Sequence, residues 1–513
     1  MNASDQENRT DSTAQTGNKP TFINAVMTMA FGTSFAQILG VLAYPIITRI
    51  YSPEAFGVFT LFLSISSIII IIASLRYEFS IMLPKTDGEA ANLFALSIFL
   101  LSATSLLTLP LFWLEGSSII RWLNAPDLAP YLPLISASVF VGSLYYAMYY
   151  WNSRIQRFNR ISAAKITSST AMTSMQLGAG LSGFAYGGSL IGANIFGNVL
   201  SVLFLGYHTW RDSRFLLREH LRWRAIIFGF KRYIQFPLYD TWSSLLSMIY
   251  LQLPAILLSK YFTAAVVGYY SLSLMVLQMP INLIGSAISQ VFFQRAASAK
   301  HRSEEEVASL VKNTVVHLFA LGIFPTLVLL INGRDLFVFV FGEPWAEAGM
   351  YSQMLALWIF IMFITSPVSP LFAIFEKQKY TLLFNGINLL TRGGALIAGG
   401  LIGSATISIL LIAMISVLSY TVSNVWLMHI ANVSIFQIMR DVHIYVLYCI
   451  PLLAIPIGVK VFFEPGILLT VALSAITISA YYGLIISREK MLQNLILSIL
   501  KDSNLFRRLF HPK

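Results

Sequence analysis

The stretch "ITRIYSPEAFGVFTL", Ile47–Leu61, returns in altered form as "LLSKYFTAAVVGYYSL", Leu257–Leu272. Across an offset of 211 positions, Arg49 pairs with Lys260, Tyr51 with Phe262, Ser52 with Thr263, Gly57 with Gly268, Phe59 with Tyr270, Thr60 with Ser271 and Leu61 with Leu272. Each copy reads as the end of one apolar segment and the start of the next. A cation and an aromatic ring anchor a helix end at the headgroup level of a bilayer. Ser52 or Thr263 suits the cap of the following helix, Pro53 its first turn, and Glu54 the positive end of its dipole. Two more matches follow in the same order: "LNAPDLAPY" (Leu123–Tyr131) with "FGEPWAEAG" (Phe341–Gly349), and "QRF" (Gln156–Phe158) with "QKY" (Gln378–Tyr380). Gly-rich hairpins at 178–197 and 393–403 also correspond. Collinear matches with a slowly growing offset point to an internal duplication.

Composition sets the environment of that repeat. Of 513 residues, 56% are apolar and 11% charged, against about 25% charged in an ordinary soluble chain. Fourteen continuous apolar stretches are long enough, or nearly so, for the ~20 residues that cross a bilayer as a helix: 22–48, 56–83, 90–114, 130–151, 166–185, 189–208, 234–259, 266–290, 310–331, 350–372, 381–402, 405–428, 442–462 and 467–487. Continuous runs rather than alternation imply helices, so the fold class expected is an all-α polytopic membrane protein with 14 transmembrane helices. Placing the N-terminus inside puts 27 of the 34 basic residues on the inner side. Five fall outside (Arg49, Arg121, Lys260, Arg334 and Lys460), and Arg76 and Arg392 fall within spans. Both termini are therefore expected in the cytoplasm. The net charge of +11 is explained by facing the anionic leaflet and requires no nucleic acid.

Six spans per repeat is an even number, so both copies enter from the same side and relate by an axis along the membrane normal. The organisation expected is a polar, disordered cytoplasmic segment 1–21, an N-lobe of six helices over 22–208, a basic cytoplasmic linker 209–233, and a C-lobe of six helices over 234–428. Two appended helices follow over 429–487, then a basic amphipathic tail over 488–513, with Leu492, Leu495, Ile496, Ile499 and Leu500 at helical spacing. The N-terminal stretch lacks a cleavable signal pattern, so the first span is expected to act as its own insertion signal. Two pseudo-symmetric six-helix lobes around an interface form the layout of an alternating-access transporter.

Catalytic motifs are missing. "GAGLSG" (Gly178–Gly183) lies inside an apolar span with no preceding strand, which suits helix packing rather than a nucleotide. No Walker A, H-E-x-x-H, C-x-x-C or G-x-S-x-G pattern occurs, and Cys449 is the one cysteine. No enzymatic activity, cofactor or metal is expected. The informative residues are charges within spans, which cost roughly 2.5–3.5 kcal/mol near the bilayer centre and so face a cavity or a partner. Arg392 stands ~20 Å and ~16 Å from the ends of its span, too far to snorkel, and reads either as a lumen residue or as half of a buried pair. Arg76 and Glu78 lie at i and i+2, which do not face each other on a helix, so each is expected to need its own partner or water, or to snorkel to the inner surface. Asp240, the one acid in its span, suits a counter-ion or an ion-coupling carboxylate. Gln37, Gln176, Asn194, Asn198, Asn282, Asn385 and Asn388 suit either interhelical hydrogen bonds or a sugar-binding lumen.

"RIYSPEAFGVFTLF", "LRYEFSIMLPKTDGEAANLF", "FGEPWAEAG" and "FEKQKYTLLFN" resemble the polysaccharide flippases of the O-antigen (Wzx) type in the multidrug/oligosaccharidyl-lipid/polysaccharide exporter (MOP) superfamily. The resemblance implies translocation of an undecaprenyl-diphosphate-linked oligosaccharide, such as an O-antigen or lipopolysaccharide repeat unit, across the bacterial inner membrane. It also implies two lobes around a cationic cavity, which Arg392 and Arg76 fit, with Arg49 and Lys260 flanking the outer exit. Asp240 and Glu78 become candidates for coupling to H+ or Na+. The partners implied are the lipid-linked substrate, membrane lipids and a polysaccharide polymerase. A drug/cation antiporter of the same superfamily would favour acids over arginines in its lumen. A glycosyl polymerase or ligase would favour a large external loop, where the longest here are 115–129 and 332–349.

Overall fold

The computed structural model describes residues 22–463 and 465–488. The polar segment 1–21, and the tail from residue 489 onward, lie outside the described residues. Among these the chain is helical and contains no strand. The first half comprises α1 (Phe22–Ile50), α2 (Pro53–Ala73), α3 (Tyr77–Ser80), α4 (Asp87–Leu114), α5 (Gly116–Leu123), α6 (Leu132–Arg154), α7 (Phe158–Leu181) and α8 (Gly187–His220). The connecting α9 (Trp223–Arg232) leads to α10 (Thr241–Tyr261), α11 (Ala264–Pro280), α12 (Ser286–Lys300), α13 (Glu304–Phe341), α14 (Ala346–Val368), α15 (Leu371–Ile374), α16 (Gln378–Ile402) and α17 (Ala405–Ile430). The last pair is α18 (Ile435–Phe463) and α19 (Ile467–Arg488).

Eleven of these segments are long and apolar enough to cross a membrane. Large side chains as exposed as Trp113 (82%) and Phe462 (80%) have no place in water and match lipid as the solvent. Each of the fourteen stretches read from the sequence overlaps a helix, but α1, α7 and α16 fall outside the eleven. Ser, Thr, Gln and Lys165 interrupt the apolar sequence of α7.

Local chemistry explains most boundaries. Ser52 caps α2 by accepting from the Ala55 N–H, with Pro53 in the first turn. Thr86, Ser303 and Ser404 cap α4, α13 and α17 in the same way. Thr263, expected to cap as Ser52 does, makes no side-chain cap bond. Gly403 ends α16 at φ +80°, a left-handed closure that glycine adopts without steric cost.

Three structural features concern the functional region. The stretch 56–83 is not one helix: α2 stops at Ala73, and Leu75 and Arg76 take φ values of 49° and 63° before α3 begins. π-Helical turns at Phe236–Asp240 and Ile281–Gly285 contain or follow Pro237 and Pro280, whose missing N–H groups displace the regular hydrogen-bond ladder. The segment 209–233 is largely helical: α8 runs to His220, and α9 docks on α4, with Gly229 close to Leu93 and the Phe230 ring stacked on Tyr77 at 5.5 Å.

One continuous apolar core joins α2, α4, α6 and α8 to α10, α11, α13, α14 and α17. α2 packs directly on α10 and α11, and α1 reaches α13. A second core unites α13 with α18 and α19, where Phe324 stacks on Tyr481 at 4.7 Å.

Candidate functional site

α1, α7, α8 and α11, with the π-turn after α11, surround a cavity of about 330 Å³. That lies at the small end of the ~300–1,000 Å³ usual for ligand sites. Its wall carries the amides of Gln37, Gln176, Asn194, Asn198 and Asn282, the hydroxyls of Ser168, Ser169 and Thr173, and the Lys165 ammonium. Met172, Met275 and Met279 supply adaptable apolar surface. The polar groups are partly tied to one another: Ser168 donates to Asn198 Oδ1 at 3.4 Å, Asn198 donates to Asn194 Oδ1 at 3.3 Å, and Ser169 donates to the Ala36 carbonyl at 2.9 Å. Lys165 is solvent-accessible and is the one charged residue among the described lining. An amide- and hydroxyl-rich wall offers the alternating donors and acceptors that sugar hydroxyls require. A lone ammonium adds attraction for one negative charge.

The sequence reading placed Lys165 in a cytoplasmic loop. The structure instead puts it about two turns inside α7. A legible sign was available: Lys165, Ser168, Ser169, Met172, Thr173 and Gln176 recur at three- and four-residue spacing, a stripe on one helix face. Five of the seven amides named from sequence line this cavity, and Asn385 and Asn388 do not.

The predicted cations Arg392, Arg76, Arg49 and Lys260 are absent from that lining and occupy separate places. Arg392, on α16, is 5% exposed. Its guanidinium donates to the Tyr250 hydroxyl at 2.5 Å and lies over the rings of Tyr250 (4.9 Å) and Trp358 (4.4 Å).

Arg76 follows the break after α2, and that break overturns the expectation that Arg76 and Glu78 need separate partners. With the chain out of helical register, Arg76 reaches Glu78 at 3.5 Å while its Nε donates to Asp240 at 3.0 Å. Glu78 is buried and also accepts from the Ser74 hydroxyl. Asp240, at the end of the first π-turn, is thus the counter-ion of an arginine from the other half of the chain. Phe79 lies 4.1 Å beneath the same guanidinium.

Arg49 and Lys260 take matched roles. Arg49 donates to the Phe339 carbonyl at 2.9 Å, and its neighbour Thr48 accepts through its carbonyl from Trp345 Nε1 at 2.8 Å. Lys260 lies over Trp122 at 4.7 Å, and its neighbour Ser259 donates to the Leu123 carbonyl at 2.7 Å. Each copy of the opening motif therefore fastens its own half to the other.

A family profile described as "polysaccharide biosynthesis protein" matches residues 46–350. An uncharacterised membrane protein in the cps region of Klebsiella pneumoniae is 25% identical over 404 residues, covering 75% of this chain and 78% of that one. Among solved structures, the lipid II flippase MurJ in an inward closed conformation superposes with a TM-score of 0.69 at 13% identity, covering 90% of this chain and 99% of that chain. An inward-facing multidrug resistance MATE family transporter of the MOP superfamily gives 0.58 at 16% identity, covering 79% and 99%. On the matched profile and this shared architecture, the chain belongs to the polysaccharide biosynthesis protein family and is a multi-pass membrane protein with the fold of MOP-type transporters.

Proposed function

We propose that the protein is a flippase for lipid-linked oligosaccharides, moving an undecaprenyl-diphosphate-linked repeat unit, of O-antigen or another surface polysaccharide, from the cytoplasmic to the periplasmic leaflet of the bacterial inner membrane. The observation that carries this reading is the cavity around Lys165, lined by amides and hydroxyls with a single charged side chain among the described lining. The headgroup occupies the cavity while the polyprenyl tail stays in lipid, so the polar sugar avoids the cost of crossing hydrocarbon. No bond is made or broken.

In this reading α1, α7 and α16 also cross the membrane, giving fourteen spans with both termini cytoplasmic. Residues 22–208 and 234–428 are the two lobes that rock about the cavity. The Arg76–Asp240 pair supports this, since it joins the two halves and is a contact that rocking would break. Glu78 and Asp240, competing for one guanidinium, are where a coupled proton would bind. The cation on the cavity wall disfavours export of cationic drugs, because like charge and desolvation would oppose their entry.

The test is reconstitution of the full chain in proteoliposomes with a lipid-linked oligosaccharide in both leaflets and a membrane-impermeant glycosidase outside. Flipping makes the whole pool cleavable, whereas cleavage halting at the outer-leaflet half, as in empty vesicles, overturns the reading.

A further inference from the structure

The geometry points to a binding site for a small monovalent anion at Arg392, separate from the Lys165 cavity. Arg392 sits 10 residues before the end of α16, ~15 Å from that end, and 14 residues after its start, ~21 Å from it. A guanidinium at that depth keeps its charge. Among the described residues no carboxylate pairs with it. What surrounds it is aromatic: Tyr250 on α10, Trp358 on α14, and Tyr270 on α11, whose hydroxyl is in electrostatic contact with it. Cation–π contacts offset part of the burial cost but leave the net charge in place.

The unmet hydrogen bonds around this residue are donors. Arg392 Nε and Trp358 Nε1 are both buried with no hydrogen-bond partner. An arginine and an indole can only donate, so neither satisfies the other. Two unpaired donors around an unneutralised cation specify an acceptor that carries negative charge. Water would meet the hydrogen bonds and leave the charge. A halide would meet both, and the 5% exposure of Arg392 favours an occupant of about water size over a phosphate or a sugar acid. Bound there, the anion would join α16 to α10, α11 and α14.

The experiment uses the purified full chain in detergent, exchanged into sodium gluconate and titrated with sodium bromide or chloride at constant ionic strength. Thermal midpoint and bromide quenching of tryptophan fluorescence are read together. We expect both to saturate in the wild type and to lose the saturable component in Arg392→Gln. Trp358→Phe removes one donor together with the reporting indole, so it is read by thermal midpoint alone and is expected to raise the half-saturating concentration about tenfold, the effect of one hydrogen bond to a charged group. If Arg392→Gln fails to fold, Trp358→Phe alone decides. A wild-type response that is absent or non-saturating, or one unchanged in Trp358→Phe, overturns the assignment.

Discussion

Gly57 and Gly268 pack reciprocally: a Cβ on Gly57 would stand 1.7 Å from the Ala264 carbonyl oxygen, and one on Gly268 would stand 2.0 Å from that of Pro53. Ala264 is the repeat counterpart of Pro53 as Gly268 is of Gly57, so each glycine meets the same position of the other copy. Such a contact is the intramolecular form of an isologous interface. It explains why the motif retains glycine in both copies, where α2 and α11 approach too closely for any side chain.

Gly57→Ala and Gly268→Ala should each lower stability by about 1–3 kcal/mol, because the added methyl meets backbone that cannot rotate away. Gly178, in α7, faces open space, so Gly178→Ala should leave the melting temperature unchanged or slightly raised. Thermal unfolding of the three variants in detergent checks this, and equal effects at Gly57 and Gly178 would contradict the close crossing.

Lys165→Met should abolish surface polysaccharide in a deletion strain while the protein accumulates normally in the membrane. Lys165→Arg should restore a measurable part, since the charge is kept and its shape changed. Immunoblots beside polysaccharide gels give the answer. Full activity of Lys165→Met would remove the ammonium from the transport site.

Arg76→Ala and Asp240→Asn should differ sharply. The first strands buried Glu78 without its cation, which costs about 3–5 kcal/mol when a buried pair is broken. Asp240 has a side chain 46% exposed, so its loss should cost below about 1 kcal/mol. Thermal midpoints of both variants and the double variant separate the pairs. Equal losses would mean that Arg76 serves Asp240 rather than Glu78.

Tyr481 fixes α19 to α13 through its stack on Phe324 and its hydroxyl, which donates to the Ala320 carbonyl at 2.8 Å. Tyr481→Phe should cost about 1 kcal/mol for the hydrogen bond, and Tyr481→Ala about 3–5 kcal/mol for the ring. Limited proteolysis should show α18 and α19 released in the alanine variant alone. Resistance in both would show that the rest of the second core suffices to hold them.

Much of the site was legible as residue types but not as a place. Gln37, Gln176, Asn194, Asn198 and Asn282 stood out because amides are costly inside apolar helices, and they proved to share one cavity. Lys165 did not stand out, because it belongs to a basic run beginning at Arg154 and the start of α7 could not be located to within a turn. Arg392 stood out by depth alone, and its aromatic surroundings come from three helices distant in sequence.

The sequence by itself determined the helical membrane class, the cap at Ser52 and the recurrence of one motif around Gly57 and Gly268. Each depends on hydropathy summed along a segment or on residues within one helical turn. Only the tertiary structure decided which charge meets which: Arg76 with Asp240 and Glu78, Arg392 among rings, and Lys165 alone on a polar wall. Those partners lie on helices far apart in the chain, and a break of two left-handed residues after Ala73 redirects Arg76 in a way no regular helical spacing encodes.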